Sequence, residues 1–231
     1  MKNLIIIGTS TTAISIYDIV NTYKLFNIIG FAVDKEYKKS ESFYNLPVYT
    51  IDEIENKKNN GEEFKIFVAV QWNRLNQDRK DLYLKLKNKG FNFANIISPN
   101  AIFQGTNKIG ENCWISDNVI IESNVMIGNN CFVKSGALIA HFSTIENHCF
   151  IGATSVISGD VKICEQTFLG VRAMLYPSIT IGKMCLIGAN TIIKKDIAPY
   201  SIVKNKFDNT IIQLDEKQII NKLIANYNDK Q

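Results

Sequence analysis

From residue 109 onward the chain repeats a hydrophobic position every six residues. Ile109, Ile115, Ile121, Ile127, Val133, Ile139, Ile145, Ile151, Ile157, Ile163, Leu169, Leu175, Ile181, Ile187 and Ile193 are all aliphatic, and the register never slips. Four residues after each stands a second restricted column, running from Cys113, Val119 and Val125 through Ala137, Ser143 and Ser155 to Thr191 and Ile197. A six-residue unit supplies one short strand and one corner, so three units close a triangular coil and positions 18 apart stack. The aliphatic side chain points into the prism, and the small or β-branched one fits where the interior narrows. Such a solenoid buries a core only by stacking coil on coil.

Residues 1–96 follow another rhythm, of short β-rich runs alternating with helical patterns. Residues 4–8 read as a strand and 13–24 as a helix, with the Thr/Ser loop 9–12 between them. Residues 28–34 form a second strand, Thr50 and Glu53 a capping box, 65–70 a further strand and 73–89 an amphipathic helix ended by Gly90. Alternation at this pitch predicts a parallel, Rossmann-like α/β sheet, with ligands beyond the carboxyl ends of its strands. Pro199 ends the six-residue register; 201–212 read as an irregular tail and 214–227 as an amphipathic helix able to cap the last coil. The expected division is therefore an α/β domain over 1–96, a parallel β-helix over 97–203 and a tail with a helix over 204–231.

Composition narrows the function classes. A 46% hydrophobic content supports a real core, and a net charge of +4 from scattered Lys and Arg calls for neither nucleic acid nor a membrane surface. The apolar run after Lys2 is too short for a signal peptide, and no stretch approaches the ~20 apolar residues of a membrane span. A cytoplasmic protein is expected. Of five cysteines, Cys113, Cys131, Cys149 and Cys185 share the small column at multiples of 18, and no Cys-x-x-Cys pair exists. They read as an interior stack of small hydrophobes with free thiols rather than metal ligands.

Three stretches carry a family resemblance: Ala140-His141-Phe142-Ser143 continuing to Phe150-Ile151, then Phe168-Leu169-Gly170-Val171, and Ile187-Gly188-Ala189 continuing to Lys194-Lys195-Asp196 and Pro199-Tyr200-Ser201. With the α/β domain in front, the chain resembles the bacterial hexapeptide-repeat sugar acetyltransferases, both the nucleotide-linked amino-sugar N-acetyltransferases and the sialic-acid O-acetyltransferase group. The resemblance implies a left-handed winding, against the usual right-handed crossover. It also implies a homotrimer with acetyl-CoA in a groove between neighbouring helices, and a role in surface-glycan precursor synthesis.

By the same resemblance His141 matches the general base. A near-neutral imidazole suits the removal of a proton from an amine or hydroxyl as it attacks a thioester. Phe150, Gly159, Gly170, Val171, Gly188 and Ala189 match cofactor contacts, and Lys194 and Lys195 stand where CoA phosphates would pass. Glycine after the aliphatic residue also serves the corner alone. In the α/β domain Ser10, Thr11 and Thr12 of the first loop, with Asp34 and Gln71, match the nucleotide-sugar site. This loop carries hydroxyls where dinucleotide-binding loops carry further glycines. The chain departs from its relatives at Phe142, where they place a carboxylate beside the base, and at Phe150, where they place a second histidine. Glu122, Glu146 and Asp160 are the candidates to supply the orienting carboxylate, and the departure favours an amine acceptor over a hydroxyl. His148 reads as structural or as supporting the base.

Two other uses of the helix fit poorly. A γ-type carbonic anhydrase needs three histidines on each zinc, and this chain has two in all. A nucleotidyltransferase needs a larger, glycine-rich N-terminal domain. A nucleotide-sugar-binding trimer without turnover remains the non-enzymatic alternative.

Overall fold

The computed structural model describes residues 1–205, so the helix expected over 214–227 lies outside the described residues. The N-terminal strands and helices are β1 (Asn3–Ile7), α1 (Thr11–Thr22), β2 (Asn27–Val33), β3 (Ser42–Phe43), β4 (Leu46–Thr50), α2 (Ile51–Asn59), β5 (Lys65–Val68) and α3 (Gln77–Asn88). The sheet order is β3-β4-β2-β1-β5, parallel except for the β3–β4 hairpin. The capping box forms: Glu53 N donates to Thr50 Oγ1 at 3.2 Å and Thr50 N to a Glu53 oxygen at 2.6 Å. Two features depart from the sequence reading. The hairpin turns through Tyr44 and Asn45, both with positive φ, as a tight two-residue turn requires. And α3 starts at Gln77 rather than residue 73, because Arg74, Leu75 and Asn76 adopt left-handed backbone that no α-helix continues through.

The repeat builds three parallel sheets of two-residue strands, wound into a left-handed β-helix behind the α/β domain. As far as Ile193 each strand pairs with the one 18 residues on, so Ile121 lies beside Ile139 and Ile139 beside Ile157. The two columns seen in the sequence are the core: Ile115, Ile139, Ile151 and Ile187 are fully buried, as are Cys113, Cys131, Cys149 and Cys185. All five cysteines are free, and the stacked thiols donate to backbone carbonyls two and fifteen or thirteen residues away. Every sixth residue from Asn112 to Asn190 turns a corner at positive φ, and only Gly136 among them is a glycine. Left-handed backbone is unfavourable for L-residues but least so for Asn and Asp. That explains Asn112, Asn118, Asn124, Asn130, Asp160 and Asn190; it makes the exposed Phe142 an outlier.

Because side chains alternate along a strand, each sheet has an outward column. The first sheet presents Ile102, Ile120, Leu138, Val156, Met174 and Ile192, an apolar face whose ends are open to solvent. The second presents Lys108, Met126, Thr144, Lys162 and Thr180. The third is aromatic, with Trp114, Phe132, Phe150 and Phe168, and the α/β domain packs against it. The six-residue register does end at Pro199, but this sheet continues with its spacing cut from 18 to 16 residues: Ile202–Val203 pairs with Leu186–Ile187, where an irregular tail was expected. Proline removes one donor at the corner but leaves the following residues free to pair.

A ladder of polar corner residues joins the two halves. Asn112 accepts from Val68 N at 2.8 Å and donates to Asn130 at 2.8 Å; Asn130 Nδ2 donates to His148 Nδ1 at 2.9 Å. Burial pushes His148 down to about 4, with Lys80 also disfavouring its charge and Glu165 favouring it. A histidine that folds neutral binds fewer protons than the unfolded chain, so stability is full above the unfolded value near 6.5 and falls as pH drops toward 4. Urea denaturation is expected to show about 2 kcal/mol less stability at pH 5 than at pH 7 from this residue. His148→Asn, which keeps an amide in the ladder, should flatten that dependence.

Candidate active site

His141 sits on the corner that leaves the apolar sheet, and its neighbours come from the coils below and above. Glu122, one coil below, accepts from both the His141 backbone N–H (3.0 Å) and the ring Nδ1–H (2.9 Å). A carboxylate can only accept, so Nδ1 carries a proton, and in the neutral ring Nε2 keeps its lone pair. The same two hydrogen bonds hold the Glu122 carboxyl below the usual range. Gly159 lies one coil above, and a Cβ there would stand 2.7 Å from His141 Nε2. That glycine is therefore required for the imidazole's place and not only for the corner. The Phe142 ring meets the imidazole edge-on at 5.6 Å and is otherwise exposed. Glu122 thus does from the coil below what the neighbouring position does not; Glu146 pairs with Lys162 instead.

The other expected cofactor contacts lie elsewhere. Gly170, Val171, Gly188 and Ala189 occupy the corner that enters the apolar sheet, at the edge opposite His141 and Gly159. Within this chain the two sets do not meet. Lys194 and Lys195 are exposed on the His141 side near the top, with Lys194 Nζ 5.5 Å from the Tyr176 ring centre. Phe150 joins neither edge: it stacks on Phe168 at 4.9 Å and faces the α/β domain.

In the α/β domain a cleft of 1040 Å³ opens at the carboxyl ends of β1, β2 and β5. Ser10, Thr11, Asp34 and Gln71 line it, while Thr12 lines a smaller cavity behind. Gly8 begins the loop at φ +121°, with Ala69 O only 3.1 Å from where a Cβ would be, so no other residue fits there without strain. Gln71 donates to Thr11 Oγ1, and Asp34 pairs with Lys85 of α3. Among the described residues no cluster of His, Cys, Asp and Glu could hold a metal, and no helix is long and apolar enough to cross a membrane.

The comparisons with known proteins follow both halves. Residues 3–86 match the PglD N-terminal domain family, 108–141 the bacterial transferase hexapeptide, and 144–165 and 160–195 the hexapeptide repeat of succinyl-transferase. Together these matches identify an N-terminal domain of the PglD type followed by hexapeptide repeats of the bacterial transferases. Solved structures share the fold of both halves. The perosamine N-acetyltransferase PerB from Caulobacter crescentus, solved with CoA and GDP-perosamine, matches at a TM-score of 0.76 and 24% identity, over 87% of this chain and 93% of that one. The acetyltransferase domain of PglB from Neisseria gonorrhoeae, solved with acetyl coenzyme A, matches at 0.74 and 19%, over 87% and 95%. WeeI from Acinetobacter baumannii matches at 0.77 and 16%, over 89% and 97%. No curated protein matches in sequence.

The sequence reading missed the aromatic cavity behind Thr11. Trp72, Trp114 and Lys134 line it together with Phe150. The signal was available in the 18-residue column Trp114–Phe132–Phe150–Phe168, whose aromatic character singles out one face of the helix for covering.

Proposed function

We propose that the protein transfers an acetyl group from acetyl-CoA to the amino group of a nucleotide-linked amino sugar, with His141 as general base. The observation that carries this reading is the Nδ1–H···Glu122 hydrogen bond, which in the neutral ring turns the Nε2 lone pair outward at an exposed corner. As the amine attacks the thioester carbonyl, Nε2 takes its proton, and the imidazolium so formed is stabilised by Glu122. Collapse of the tetrahedral intermediate expels the CoA thiolate, which recovers that proton as a thiol. The nucleotide sugar occupies the strand-end cleft, and Ser10, Thr11, Thr12, Asp34 and Gln71 are its proposed contacts. The enzyme works in the cytoplasm, in surface-glycan precursor synthesis.

The working unit in this proposal is a homotrimer. The apolar sheet separates His141 and Gly159 from Gly170, Val171, Gly188 and Ala189, and a second copy seated on that sheet would set one edge against the other. CoA would then lie between copies, with Lys194 and Lys195 near its phosphates.

Thiol release from acetyl-CoA, run against a panel of UDP-, GDP- and dTDP-linked amino sugars, tests the reading. Turnover only with amine-free acceptors would make it an O-acetyltransferase, since the same His–Glu pair can deprotonate a hydroxyl. Tight nucleotide-sugar binding with no thiol release on any acceptor would leave a binding trimer. Gly159→Ala gives a finer check, because the added methyl collides with the imidazole and not with backbone. Turnover is expected to fall on the order of 10²-fold, the scale of a small misplacement of a catalytic group, while the melting temperature holds.

A further inference from the structure

The cavity behind Thr11 contains a cation that none of the described residues neutralises. It measures 230 Å³, lies between the α/β domain and the aromatic sheet, and shares Thr11 and Gln71 with the strand-end cleft. The Lys134 Nζ lies 3.0 Å from the centre of the Trp114 ring, and among the described residues it has no carboxylate partner and no hydrogen-bond acceptor. Two further polar groups nearby are equally unmatched. Trp114 is 5% exposed and its Nε1–H has no acceptor; Ser116, 1% exposed, has no partner for its hydroxyl. Ser116 stands directly below Lys134 in the same corner column, 18 positions earlier.

Lys134 is half-buried, and holding an ammonium partly away from water without an anion destabilises the free protein, which an aromatic face offsets only in part. Burial accordingly pushes Lys134 down to about 8. An unneutralised lysine among donors that lack acceptors is the arrangement expected where the acceptor arrives with a ligand. The walls fit the rest of such a ligand, since Trp72, Trp114 and Phe150 offer apolar faces to the carbon–hydrogen side of a sugar ring.

We infer that Lys134 is a specificity-determining residue that receives an anionic oxygen group of the substrate, either a phosphate of the nucleotide sugar or a carboxylate on its sugar ring. The inference rests on the nucleotide-sugar reading of the cleft, because a nucleotide held there would place its diphosphate and sugar beside Thr11 and Gln71. A lysine suits the task as a compact point charge that needs no bidentate geometry.

The chain's two tryptophans, Trp72 and Trp114, both line this cavity, so intrinsic fluorescence reports its occupancy directly. Titrating the full chain with pyrophosphate, glucuronate and glucose is expected to change the emission with at least one anion. The dissociation constant for that anion should weaken about tenfold or more in Lys134→Met and return close to wild type in Lys134→Arg. A response to pyrophosphate identifies the phosphate as the group bound, and a response to glucuronate identifies an acidic sugar. Lys134→Met should melt no lower than wild type, since it removes a cation without a partner, which separates lost binding from lost folding. No emission change with either anion, or equal constants in wild type and Lys134→Met, would overturn the inference. An anion response that depends on Lys134 stands even if thiol release fails on every acceptor; turnover with an unaltered Lys134→Met profile sinks only the lysine's role.

Discussion

Replacing His141 with asparagine is expected to lower kcat by about 10²–10⁴-fold, the usual contribution of a positioned general base, while leaving acetyl-CoA affinity by calorimetry unchanged. Asparagine keeps a polar side chain at an exposed corner, so the fold has no reason to respond. Glu122→Gln should cost less, on the order of tenfold, because an amide oxygen can still accept from Nδ1–H but no longer stabilises the imidazolium charge. The two effects should not add, since Glu122 acts only through the histidine. Thiol release by the single and double variants checks this; full activity of His141→Asn would remove the base from the mechanism.

The second large effect concerns assembly. Wild type is expected at three times 26.1 kDa by light scattering, and Val156→Glu at the mass of one chain. Val156 lies within the apolar column Ile102, Ile120, Leu138, Val156, Met174 and Ile192. Burying a carboxylate there at each interface costs several kcal/mol per ion, more than the loss of one apolar contact. Turnover should disappear with the trimer, because His141 and the Gly170–Val171 corner lie on opposite edges of that sheet within one chain. Thr144→Glu, on the polar sheet, should leave both mass and rate alone. A wild-type monomer with full turnover would refute the shared site.

Much of the fold was legible because the repeat is periodic: one column predicts the core, and its spacing predicts which residues stack. Handedness was not in the spacing, and entered only through resemblance. The His141–Glu122 pair lies 19 residues apart, one coil plus one position, which made Glu122 one of three candidates until the corner geometry chose among them. Asp34 and Gln71 entered only through the resemblance, and both line the cleft where the strand ends of the α/β sheet converge. Lys134 could not, since its surroundings depend on how the α/β domain seats against the helix, a contact between residues far apart in sequence. The start of α3 was misjudged for a local reason: nothing in Arg74-Leu75-Asn76 announces three left-handed residues in a row.

The triangular coil also makes length an exacting variable. Deleting 18 residues between His141 and Gly170 would shorten the prism by one storey and leave every face where it was. Deleting six would turn everything above by a third of a revolution, carrying Gly170 and Val171 from the edge that enters the apolar sheet to another edge of the prism. The hydrophobic register would survive that cut intact, and the chain would still bury its core. A sequence can therefore keep a flawless repeat and lose its site, so for this architecture insertions and deletions in multiples of six but not of 18 separate folding from function more cleanly than any point substitution.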